Sequence, residues 1–170
     1  MPKDLEKTRN NLLKIKLKRY SDLSQDLSNL DSILDEYRLI ASTANDLLPI
    51  KSKDMRELLS GQPAEFFVYK SCVSHLKYMS ENLQKFLEYT RGVKYLEIRR
   101  SRDNVSDLSD RALNQIIDGN DEIRELNVII LTIKEIYEEF VNIVESYHQR
   151  GYTLTNITKL VELEALDKVI

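Results

Sequence analysis

Between residues 120 and 150, apolar side chains recur at Ile123, Leu126, Ile130, Ile133, Tyr137, Phe140, Val144 and Tyr147, and the steps between them alternate strictly between three and four. A spacing that averages 3.5 residues keeps one seam facing a partner helix, because the helix turn takes 3.6 residues and a slight supercoil absorbs the difference. A parallel row, Ile129, Ile136 and Ile143, widens the stripe beyond a two-stranded seam. This stretch is therefore expected to be a core helix touching at least two neighbours.

The same rule appears twice more. Tyr20, Leu23, Leu27, Leu30, Leu34, Tyr37, Ala41, Ala44 and Leu48 form one seam, flanked by Ile33, Ile40 and Leu47. Tyr69, Cys72, Leu76, Met79, Leu83, Phe86 and Thr90 form another, flanked by Phe66, Val73 and Leu87. Pro49 stops the first helix, since the residue before proline is pushed out of the α region. Upstream, Leu13, Ile15 and Leu17 alternate with charged residues at a strand period, but no partner strand is evident and lysine favours helix. The expected fold is all-α: an antiparallel helical bundle with three long heptad-patterned helices at about 3–48, 63–102 and 120–150. The second is carried through Gly92, where an interior glycine costs only about 1 kcal/mol. Three short helices complete the expectation. One spans about 52–60, from a Ser52 cap to a Gly61 stop, and a second spans about 105–118 and closes at Gly119. The third spans about 155–168, after Gly151 ends the long helix in a left-handed conformation. Asn120 caps the organising helix, with Asp121 and Glu122 placed where the helix dipole favours negative charge.

With 170 residues the chain suits a single helical domain able to bury a core without metals or disulfides. Four glycines and three prolines are few for a fold of many strands and tight turns. The lone Cys72 lies on an apolar helical seam and reads as a packing residue, which points to an intracellular protein, cytoplasmic or nuclear. No apolar run approaches the length of a membrane span, and the opening MPKDLEKTRNN lacks the apolar core of a signal peptide. Charge is unevenly placed. Residues 1–19, a basic extension of the first helix, hold Lys3, Lys7, Arg9, Lys14, Lys16, Lys18 and Arg19 against Asp4 and Glu6, a net of +5. Since the chain totals −3, the rest carries −8. Such asymmetry suits an anionic partner or head-to-body association between copies.

Motifs for catalysis are missing: no glycine-rich phosphate loop, no GxSxG, no HExxH and no cysteine pair occurs. His75 and His148 fall beside the seams of different helices, so neither metal nor cofactor is expected. Glu135, Glu138, Glu139 and Glu145 lie on the outer face of their helix as solvating charges. No small-molecule substrate is indicated. The candidate binding residues are basic. Lys14, Lys16, Lys18 and Arg19 form one cluster beside Tyr20. Arg91, Lys94, Arg99, Arg100 and Arg102 form the other, interleaved with Tyr89 and Tyr95. Such a mixture can hold phosphates while rings stack on bases. The competing reading is surface ion pairing with nearby acids such as Glu97 and Asp103. A helix-turn-helix at Gly151 is disfavoured because GYTLTNITKLVELE offers DNA one lysine and two glutamates. The expected function is a non-enzymatic helical adaptor or structural subunit, binding protein partners or itself through coiled-coil-like faces. The alternative is a nucleic-acid-associated accessory protein using the two clusters. A membrane-surface role ranks third. Merged basic patches favour the alternative, and scattered, ion-paired charges favour the adaptor.

Overall fold

Four helices and no strand make up the described residues, which in this computed structural model are 30–50, 55–101 and 109–167. They are α1 (Leu30–Leu47), α2 (Met55–Ser101), α3 (Asp110–Asp118) and α4 (Asp121–Asp167). The basic extension, the expected helix start near residue 3 and the seam residues Tyr20, Leu23 and Leu27 lie outside the described residues.

Three expected boundaries change. The short helix at 52–60 and the long helix from 63 are one element, because α2 runs through Gly61 and Pro63. Proline removes one backbone donor and disfavours an interior position by about 3 kcal/mol. Neighbouring burial outweighs this, since Leu58 before the proline and Glu65 and Tyr69 after it are all buried. Gly151 likewise does not end the organising helix, and the separate helix expected at 155–168 is the last part of α4. No glycine among the described residues has a positive φ, so Gly151 serves another purpose. A Cβ there would lie 2.7 Å from Nε2 of Gln62, so its lack of side chain lets α2 and α4 approach. The helix expected at 105–118 begins at Asp110, where Ser109 Oγ accepts from the Ala112 amide at 3.3 Å. Continuation of α2 through Gly92, closure of α3 at Gly119 and capping by Asn120, whose Oδ1 accepts from the Glu122 amide at 3.1 Å, agree with the sequence.

The chain groups into two compact units, Met1–His75 with Ile136–Ile170, and Leu76–Glu135. In the first, Phe140 of α4 meets two neighbours: Tyr37 of α1 edge-on at 6.0 Å and Tyr69 of α2 at 6.2 Å between ring centroids. Glu65, Phe66 and Tyr69 of α2 face Arg150, His148 and Tyr147 of α4 in that order, so the two segments run in opposite directions. Phe140, Tyr69 and Tyr147 are fully buried, each contributing about 2–3 kcal/mol of apolar transfer. Ala41 and Ala44 are buried on α1, where small side chains admit a neighbouring backbone.

The second unit buries Leu76, Met79, Leu83, Leu87 and Thr90 of α2, Leu113 and Ile117 of α3, and Ile123, Leu126, Ile130 and Ile133 of α4. One seam position departs from expectation. Phe86 is 42% exposed and Leu87, placed on the flank by sequence, is buried instead. A straight helix drifts by about 20° per heptad against a strict 3.5 repeat, which is enough to exchange adjacent rows. On α4 the flanking row packs more deeply than the seam, in the opposite sense to that drift: Ile136 and Ile143 are buried while Tyr137 and Val144 are only half-buried.

Candidate functional site

The basic segment of α2 is engaged by acids of the same unit. Arg91 Nη2 lies 2.7 Å from Asp118 at the end of α3. Lys94 Nζ lies 3.2 Å from Glu122 in the first turn of α4 and 3.8 Å from Glu97. The hydrogen bond and charge of Glu122, with Glu97 behind it, raise the Lys94 ammonium above its ordinary pKa. Arg99 Nη2 lies 2.8 Å from Asp110, and its guanidinium sits 5.2 Å from the Tyr95 ring centre. The Tyr95 hydroxyl donates to the same Asp110 oxygen at 3.0 Å. Arg91, Lys94 and Arg99, with Tyr95, are thus brought together by α3 and the start of α4. Arg100 is exposed, whereas Arg102 and the cluster Lys14, Lys16, Lys18 and Arg19 lie outside the described residues. Glu97 pairs as the sequence suggested, but the main counter-charges are Asp110, Asp118 and Glu122, more distant in sequence and invisible to a local reading.

A second constellation was missed altogether. In the first unit Glu65 and Arg150 are buried polar residues, with Arg150 Nη1 3.3 Å from Glu65 Oε2. The Tyr147 hydroxyl donates to that oxygen at 3.0 Å, Gln62 Nε2 donates to the Tyr147 carbonyl at 3.2 Å, and Tyr69 and Thr43 share a hydrogen bond of 2.8 Å. Burial drives the phenols upward: Tyr69 to about 12 and Tyr147 beyond the usual phenol range. It also pushes the Cys72 thiol up to about 12, so Cys72 is an inert packing group.

A groove adjoins these groups. The groove beside them, about 450 Å³ in volume, is walled by Leu59, Pro63, Phe66, His148 and Tyr152. His148 packs edge-on against Phe66 at 4.8 Å, and the Thr155 hydroxyl at the groove's end donates to the Gly151 carbonyl at 2.9 Å. Among the described residues no group of three or more His, Cys, Asp or Glu side chains could hold a metal ion, and no helix is long and apolar enough to cross a membrane.

A seam-like row of side chains also runs along the outward face of α2 in the second unit. Asn82, Phe86, Tyr89, Val93, Leu96 and Arg100 follow steps of four, three, four, three and four, the period of a core seam displayed outward. Tyr78, one turn before Asn82, Phe86, Tyr89 and Leu96 are 57%, 42%, 69% and 52% exposed. Gly92 lies on the edge of this face, and a Cβ built on it meets nothing within 4 Å. No protein-family model matches the chain, and no curated protein or solved structure shows significant similarity to it.

Proposed function

We propose that this chain is a non-enzymatic helical adaptor or structural subunit of an intracellular assembly, cytoplasmic or nuclear. In this reading it is an antiparallel bundle whose heptad-patterned helices hold the core and present a coiled-coil-like face to other proteins. The observation that carries the reading is the outward seam of α2. Four large apolar side chains on one helix face, all well exposed, form a patch of the kind that marks interaction sites, whereas isolated exposed apolar residues are ordinary surface. The basic segment supports it from the other side. Arg91, Lys94 and Arg99 already have carboxylate partners within the chain, so a phosphate would have to displace those acids. Capture of partners from the source cell by the tagged chain, identified by mass spectrometry with and without nuclease, tests this. Protein partners that persist after nuclease, and are lost on Tyr89→Glu, are expected. Partners that all disappear with nuclease would favour the nucleic-acid alternative.

A further inference from the structure

We propose that the outward face of α2 between Tyr78 and Arg100 is an antiparallel two-fold interface with a second copy of this chain, with Tyr89 on the dyad. The inference rests on the adaptor reading and names one of its partners. At 100° per residue, Tyr78, Asn82, Lys85, Phe86, Tyr89, Gly92, Val93, Leu96 and Arg100 all fall within about 60° of Tyr89, along about 33 Å of helix. A two-fold axis through Tyr89 brings each residue opposite one on the same side of the seam whose distance beyond Tyr89 is equal to within one residue. Tyr89 then stacks on its own symmetry mate, Phe86 meets Val93, and Asn82 meets Leu96.

The charged positions also suit a second copy. Arg100 comes over the Tyr78 ring of the other copy at each end, a cation over an aromatic face. Lys85 comes opposite Gly92, where the missing side chain leaves room for the lysine stem, and no like charges on this face meet. Gly92 itself is the independent observation. It is exposed, at a regular helical position, and nothing among the described residues within 4 Å excludes a Cβ, so alanine would favour the helix. Close approach by another molecule gives that glycine a reason. An unrelated helix could also cover the face, but Tyr89 on its mate, Phe86 on Val93 and Arg100 over Tyr78 are pairs that the face makes with itself, as an isologous interface requires.

The test is the solution mass of the full chain between about 1 and 200 µM, concentrations chosen for an interface at the small end of specific contacts. Wild type should rise with concentration from 19.9 kDa toward twice that value. Tyr89→Glu should remain monomeric with an unchanged helical spectrum. Gly92→Ala should raise the melting temperature measured at low concentration, yet weaken association at least tenfold. This opposite movement is not produced by a merely structural role. Tyr89→Cys should crosslink to itself under mild oxidation, whereas Leu39→Cys, equally exposed on α1, should not. A wild-type chain that stays monomeric throughout, or a Tyr89→Glu chain that dimerises like wild type, overturns the inference. If the monomeric wild type still captures a different protein through Tyr89, self-pairing falls while the adaptor reading stands. If it captures nothing, both fall.

Discussion

Glu65–Arg150 in the first unit and Arg99–Asp110 in the second are ion pairs of similar length in opposite surroundings. The former side chains are 1% and 4% exposed, the latter 46% and 74%. Two buried charges lose their hydration and depend on each other and on the Tyr147 hydroxyl, whereas exposed charges keep water as an alternative partner. Apolar groups do not follow this contrast, since both units leave large ones outside, Phe67 and Tyr152 in the first and Phe86, Tyr89 and Leu96 in the second. Inward placement of polar groups makes the first unit sensitive to substitution. What sets the second unit apart is that its ion pairs stay in water and that Phe86, Tyr89 and Leu96 share one face of α2.

The largest expected effect breaks the buried pair. Glu65→Ala strands the Arg150 guanidinium and should lower stability by about 3–5 kcal/mol, read from denaturant or thermal unfolding. Replacing both partners together, Glu65→Leu with Arg150→Met, should recover most of that loss or all of it. A single Glu65→Ala variant as stable as wild type would contradict burial of the pair.

Alkaline pH attacks the same unit through its neutral buried acids. Cys72 is raised from 9.0 to about 12 and Tyr69 from 10.0 to about 12. Each group binds its proton more tightly folded than unfolded, so its contribution is complete below the unfolded pKa and is lost as pH rises through the interval to the folded pKa. Stability should therefore hold to about pH 9 and then fall, by about 2–3 kcal/mol at pH 10.5 from these two groups, with the raised Tyr37 and Tyr147 phenols adding to the loss. Cys72→Ala should remove the earlier part of the decline, in unfolding curves taken at successive pH values. An unchanged pH dependence in that variant would count against the thiol's burial.

Two tyrosines sharpen the comparison within the first unit. Tyr147→Phe deletes a hydrogen bond to a buried carboxylate and should cost about 2 kcal/mol. Tyr37→Phe deletes a buried hydroxyl that has no hydrogen-bond partner and should be neutral or stabilising. Equal losses in the two unfolding curves would sink the distinction.

The smallest effects belong to the second unit. Arg91→Ala and Arg99→Ala should each change stability by less than about 1 kcal/mol, and the difference should shrink further in 1 M salt. A loss of several kcal/mol from either would show that these surface pairs behave like the buried one.

The helical class was legible because the seams repeat many times: Ile123, Leu126, Ile130, Ile133, Phe140 and Tyr147 are all buried where the 3.5 spacing placed them. Leu30, Leu76 and Leu83 are buried likewise. Breaks at Pro63 and Gly151 were misread because local propensity argues for a stop, while packing that joins residues more than eighty positions apart holds both helices together. The same distance hid the Glu65–Arg150 pair, since each residue alone reads as ordinary surface charge. The α2 arginines and lysine stand close together in sequence, but the main counter-charges of Arg91, Lys94 and Arg99 come from α3 and the start of α4. Phe86 was assigned inward because it completes a seam, and one position of rotation turned it into part of the outward face.

The central claim is that the cations of α2 serve intrachain pairs and the chain recognises protein rather than nucleic acid. Titration of labelled single- and double-stranded nucleic acid with the full chain at about 50 mM salt tests it where electrostatic binding is strongest. The expected result is no binding up to tens of micromolar protein. Binding that weakens steeply with salt, and is abolished by changing Arg99, Arg100 and Arg102 together to Glu while the melting curve is kept, would contradict the claim.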